Sequence, residues 1–172
     1  MRKDIKIGLL LFFIALTYSC ASGSVRSVEW GYEKNGVRLY LTADSQLNLY
    51  QGIPHTLYLC VYQLKDPNGF NELTRNEDGL SKLLGCTRFD ASIARSHSFT
   101  LHPGEALTEM LDRAEGAKYV GLAAGYYSFE KENMTRLFEV PVGRSWYLVL
   151  KPKPLRIDLY FGPNGIRGSE GQ

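Results

Sequence analysis

The sequence of 172 residues has little of what most enzyme chemistry requires. It holds only three histidines, His55, His97 and His102, and three cysteines, Cys20, Cys60 and Cys86. No histidine pair has a metal-ligand spacing such as HExxH, and the cysteines give no zinc pattern, so no metal site is expected. His97 and Ser98 are adjacent, and in a strand adjacent side chains point to opposite faces and do not act together. The glycines of "GPNGIRG", residues 162–168, lack the strand-to-helix context of a phosphate loop, since no helix opens after them. No catalytic residue and no cofactor are therefore expected. Blocks of five like charges are absent, which removes the basic cluster a nucleic-acid partner would demand. Strands and helices do not alternate, so a parallel α/β sheet is excluded. A run of twenty apolar residues, the length needed to cross a bilayer, is missing too.

What is present begins at the amino terminus. Arg2, Lys3 and Lys6 precede an apolar run from Ile7 to Leu16, interrupted only by Gly8. Ten helical residues span roughly 15 Å, too short for a membrane helix but right for a secretory signal, assigned to residues 1–19. Ser19-Cys20-Ala21-Ser22 resembles a bacterial lipobox, which implies a diacylglyceryl thioether on Cys20. Thr17 and Tyr18 depart from that pattern, with Leu16 one place early; ordinary cleavage within Ser19–Ser24 is the alternative. Ala21, where an aspartate would signal retention, resembles the sorting signal for the outer membrane. Residues 20–27 read as a lipidated tether. Without residues 1–19, the 20 basic and 18 acidic residues become seventeen of each, so the mature chain is formally neutral.

The remainder reads as β-structure. Asn35-Gly36, between alternating Val28/Trp30/Tyr32 and Val37/Leu39/Leu41, predicts a hairpin with a type I′ turn. Asp44–His55 reads as a long loop broken by Gly52 and Pro54. Thr56–Leu64, apolar on both faces, predicts a central strand. Asp66-Pro67 opens one short helix and "DGLSKLLG" forms another. Further strands are predicted at Ile93–Leu101, Ala106–Leu111, Lys118–Phe129, Thr135–Val140, Trp146–Leu150 and Leu155–Phe161. Eight or nine close-set strands with one helical excursion indicate an all-β, two-sheet sandwich over residues 28–161, followed by a flexible tail, 162–172.

Four groups of residues stand out. Cys60 and Cys86 either form a disulfide or stay as two buried thiols. Asp112, Arg113 and Glu115 read as a solvated ion-pair cluster at a turn. Tyr126 and Tyr127 face opposite ways on a strand, one into the core and one out. Leu47, Leu49 and Tyr50 in the loop either fold back on the core or anchor a partner protein.

"LNLYQGIPHTLYLCVYQLKDPNGF", "LLG", "LHPGE" and "KYVGLAAGYY" together resemble the outer-membrane lipoprotein of type VI secretion systems, the TssJ-like family, over about Trp30–Phe161. The resemblance implies a transthyretin-like sandwich and a non-enzymatic role. It implies a domain facing the periplasm, held at the outer membrane by acylated Cys20. The implied partners are the periplasmic C-terminal region of TssM, with TssL in the wider trans-envelope complex. The projecting loop of the family corresponds to Asp44–His55, which makes Leu47, Asn48, Leu49, Tyr50 and Gln51 the expected contact residues. The other reading is a periplasmic ligand- or glycan-binding lipoprotein using Tyr126 or Tyr127.

Overall fold

Val37, Leu39 and Leu41 alternate with Arg38, Tyr40 and Thr42, and this two-residue period builds the strand at the centre of one sheet. A computed structural model describes residues 28–129, 131–144 and 149–168. The signal segment, Cys20, the tether, residues 146–148 of the expected Trp146–Leu150 strand and residues 169–172 of the expected tail lie outside the described residues. In chain order the elements are β1 (Glu33–Ala43), β2 (Leu57–Leu64), α1 (Asn68–Leu73), α2 (Glu77–Leu84), β3 (Ile93–Leu101), β4 (Ala106–Arg113) and β5 (Tyr119–Ala124). They continue with α3 (Lys131–Met134), β6 (Thr135–Glu139), β7 (Val142–Arg144), β8 (Leu150–Pro152), β9 (Leu155–Phe161) and β10 (Ile166–Arg167).

Two four-stranded sheets form a β-sandwich, ordered β10-β9-β1-β4 and β3-β2-β5-β6, with β7 and β8 as a separate pair. β1 runs antiparallel to β4 and parallel to β9, from Val37↔Leu155 to Ala43↔Phe161. The core combines Val37, Leu39 and Leu41 of β1 with Leu57, Leu59 and Val61 of β2 and Leu155, Ile157 and Leu159 of β9. Full burial of each such aliphatic side chain is worth about 1.5–3 kcal/mol.

β2 is buried on both faces, as its apolar run predicts. Leu59 and Val61 face the core, while Cys60 and Tyr62, on the opposite face, meet the helical excursion. The Tyr62 hydroxyl donates to the Leu83 carbonyl, and Phe70 lies so close to β5 that a Cβ at Gly121 would fall 2.7 Å from its ring. Asn76 caps α2 by accepting the Gly79 N–H at 2.8 Å. Cys60 and Cys86 are joined as a disulfide, Cα atoms 5.3 Å apart, which closes the whole excursion onto β2. A crosslink closing a loop of this length removes unfolded-state freedom worth about 3 kcal/mol in the chain-entropy account. Among the described residues no helix is long and apolar enough to cross a membrane.

Three expectations change. Asn35-Gly36 is not a hairpin turn: β1 runs straight through it, and the left-handed Asn35 (φ 53°) lies in a bulge between the pairs Glu33↔Arg113 and Val37↔Leu111. Positive φ serves both features, so the dipeptide alone does not separate them. The Asp112 carboxylate fills this bulge, accepting the Asn35 N–H at 2.9 Å and the Tyr32 hydroxyl. Arg113 is not solvated: it is 2% exposed, donates to the Ala117 carbonyl at 3.2 Å, pairs with Glu33 at 3.3 Å and sits 5.7 Å from the Trp30 ring. Residues 162–168 are not a loose tail. β10 pairs with β9, and Ile166 is buried in the core.

Gln63 ties the two sheets. Its fully buried amide donates to the Asp112 carbonyl at 2.8 Å and accepts the Ala114 N–H at 2.7 Å. Gln63→Leu keeps the volume but orphans the part-buried Asp112 carbonyl and Ala114 N–H. A loss of about 2–4 kcal/mol in unfolding free energy is expected by denaturant titration; a loss below about 0.5 kcal/mol would show that the amide does not join the sheets.

Candidate docking site

The segment from Asp44 to Thr56 shows no hydrophobic period, and it is nonetheless ordered by hydrogen bonds throughout. Tyr50 and Ile53 exchange both backbone bonds at 3.0 Å, with Gln51 (φ 51°) and Gly52 (φ 77°) between them. Two central residues at positive φ are what a type I′ hairpin needs, so the turn expected at Asn35-Gly36 occurs here instead. Gln at the first position is an uncommon choice, which hid the hairpin in the sequence.

The root of the segment is Asp44. Its carboxylate accepts the Tyr160 hydroxyl and, at 2.7 Å, the Gln46 N–H. Its backbone N–H donates to Phe161 at 2.8 Å, and its carbonyl accepts Gly104 and Leu47, both at 3.0 Å. The chain beyond β9 braces the next stretch: Leu49 donates to the Pro163 carbonyl at 2.9 Å. Leu47 is fully buried in the core. Asn48 is 2% exposed, in the left-handed conformation (φ 49°); its amide donates to the Thr56 carbonyl at 3.0 Å and accepts the Tyr127 N–H at 2.8 Å.

The five loop residues singled out in the sequence thus divide. Leu47 and Asn48 face inward and fix the loop, correcting their expected place on a contact surface. Leu49 is half-buried, and Tyr50 and Gln51 are exposed. The two fates weighed for apolar loop residues, folding back and facing out, both occur, on different residues.

The structure also brings in neighbours that sequence distance concealed. Tyr127 stacks on Tyr50 with ring centroids 4.9 Å apart and planes 23° apart, and His55 packs edge-on against Tyr127 at 4.9 Å. β5 ends at Ala124, so Tyr126 and Tyr127 follow the strand, yet they diverge as expected: Tyr126 is 6% exposed and Tyr127 57%. Ile53, at 61%, completes an exposed patch at this end of the sandwich. The other histidines lie outside it. His97 is half-buried in β3 beside Phe99, its pKa lowered by burial, and His102 is exposed in the β3–β4 turn. Among the described residues, no three His, Cys, Asp or Glu side chains are placed to hold a metal ion.

A sandwich presenting a braced hairpin beside an exposed aromatic patch has the form of a domain that offers a preformed surface. The comparisons with known proteins narrow this. The model of the family T6SS-SciN, "Type VI secretion lipoprotein, VasD, EvfM, TssJ", matches residues 35–160, and the chain belongs to that family of lipoproteins, which is not an enzyme family. Among solved structures, the type VI secretion lipoprotein TssJ1 from Pseudomonas aeruginosa is 21% identical; the match covers 83% of this chain and 96% of that one, with a TM-score of 0.60. Serratia marcescens Lip, a membrane-bound component of the type VI secretion system, is 21% identical over 78% and 96%, with a TM-score of 0.56. A chain in the structure of the TssM C-terminal domain (869–1107) from EAEC is 19% identical over 76% and 94%, at 0.57. No curated protein matches significantly.

The Tyr160 hydroxyl, and then the Gln46 N–H, hold the Asp44 carboxyl below the usual carboxylate pKa; the same bond raises that of Tyr160. A depressed folded pKa contributes order that is complete above the ordinary value of about 4 and is lost as pH falls through the lower, folded value. The Gln46 amide NMR shift is expected to titrate below pH ~4 and to become flat in Asp44→Asn. A midpoint at or above ~4 would show that the carboxylate does not hold the loop root.

Proposed function

We propose that this chain is an outer-membrane lipoprotein, acylated at Cys20, whose sandwich faces the periplasm and docks the periplasmic C-terminal region of TssM. In this reading residues 1–19 are the signal peptide and 20–27 the tether, and TssL belongs to the wider membrane complex. The observation that carries it is the braced hairpin, which offers Leu49, Tyr50 and Gln51 from a scaffold that cannot yield, in a chain of the type VI secretion lipoprotein family. Leu47 and Asn48 serve the contact by fixing its shape. Aromatic and aliphatic anchors on a preformed loop bind without a large ordering cost.

The EAEC match favours the same partner: a structure described as that of the TssM C-terminal domain contains a chain that this one resembles over 76% of its length. Several acyl chains on Cys20 would hold the domain firmly where one would not, and confinement with the partner raises the effective concentration of each. Glycan binding is less favoured because Tyr50 already covers one face of the Tyr127 ring and His55 meets its edge.

The test is a pull-down of the full-length lipoprotein, extracted in detergent, on the TssM periplasmic region. Leu49→Asp/Tyr50→Asp is expected to abolish capture while shifting the melting midpoint by less than about 2 °C. Capture by the double variant at the wild-type level would move the site off this loop. Independently, Cys20→Ala is expected to release the protein from the membrane fraction, and continued outer-membrane fractionation would rule out acylation as the anchor.

A further inference from the structure

We infer that the docking surface is a composite of two segments, in which Tyr127 contacts the partner alongside Tyr50, and that it receives an uncharged, apolar segment of that partner. This rests on the docking reading above. The two rings form one stacked unit with both members about half exposed, Tyr50 at 47% and Tyr127 at 57%. A partner seated on Tyr50 therefore meets Tyr127 as well. The two segments are also joined beneath the surface, since the Asn48 amide binds the Thr56 carbonyl on one side and the Tyr127 N–H on the other. The loop and the post-β5 segment are thus one rigid body at this end of the sandwich.

The chemistry of the occupant follows from charge. No Asp, Glu, Lys or Arg occurs in residues 45–64 or in 119–129, the two stretches that meet here. The exposed members are Tyr50, Ile53, Pro54 and Tyr127, with the carboxamide of Gln51 at the tip. A charged side chain buried against this patch would lose its water without gaining a counter-charge, so charged occupants are selected against. Aliphatic or aromatic side chains lose nothing there and gain area.

The experiment measures the dissociation constant of the full-length, detergent-extracted protein for the TssM periplasmic region, using wild type, Tyr50→Ala, Tyr127→Ala, the double variant and Tyr127→Phe. Each alanine variant is expected to weaken binding about tenfold or more. The double variant should weaken it by less than the product of the singles, because the rings touch. Tyr127→Phe should bind like wild type, and affinity should change less than about twofold between ~0.05 and ~0.5 M salt. Melting midpoints of all variants guard against unfolding. If Tyr50→Ala weakens binding and Tyr127→Ala does not, the loop docks alone: this inference fails and the docking reading stands. If neither variant weakens binding by a folded protein, the site lies elsewhere; if wild type does not bind, the docking reading itself fails. A steep fall of affinity with salt would overturn the uncharged occupant.

Discussion

The side chain of Asn48 holds the docking-loop end of the sandwich together, because its amide bonds both Thr56 and the backbone of Tyr127. A carboxamide offers a donor and an acceptor on one rigid plane, and here they bond the Thr56 carbonyl and the Tyr127 N–H. Neither an aspartate, which lacks the donor when ionised, nor a leucine of similar size makes both bonds. The left-handed backbone that Asn48 adopts is one that asparagine tolerates better than most residues. The hairpin tip, the Tyr50–Tyr127 stack and the edge-on His55 all depend on this junction.

The rest of the sandwich is arranged so that this end stays rigid. The outer face of the second sheet is covered by α1 and α2 and closed by the Cys60–Cys86 bond, and the Gln63 amide joins the second sheet to β4 of the first. Residues beyond β9 brace the loop through the Gly162 and Pro163 carbonyls, and buried Ile166 ties them to the core. A segment with few apolar contacts of its own thereby inherits the order of the core.

Much of this was written locally in the sequence. The alternation in β1, the double-sided apolar run of β2, the Gly85 end of α2 and the divergence of Tyr126 and Tyr127 all follow from period and turn chemistry. What stayed hidden depends on contacts between residues far apart in the chain. Asn35-Gly36 has the same positive-φ preference in a bulge as in a turn, and only the partner strand decides. Arg113 looks like a surface charge until Trp30, Glu33 and Ala117 are found around it. The loop stood out through its apolar residues, but which of them face outward was not legible. That is set by Asp44, Asn48 and the returning C-terminal chain, and no periodicity announces these.

The central place of β1 has a mechanical consequence. In the proposed role, with residues 20–27 as the tether before this strand and the hairpin after it, a pull between membrane anchor and docked partner would run along its eleven residues, about 35 Å. Ladder hydrogen bonds lie across the strand direction, on one side to β4 and on the other to the parallel β9. Tension therefore slides β1 against both neighbours at once and strains many bonds together, where peeling an edge strand would break them in turn. In that role the line of traction would pass through a strand held on both sides.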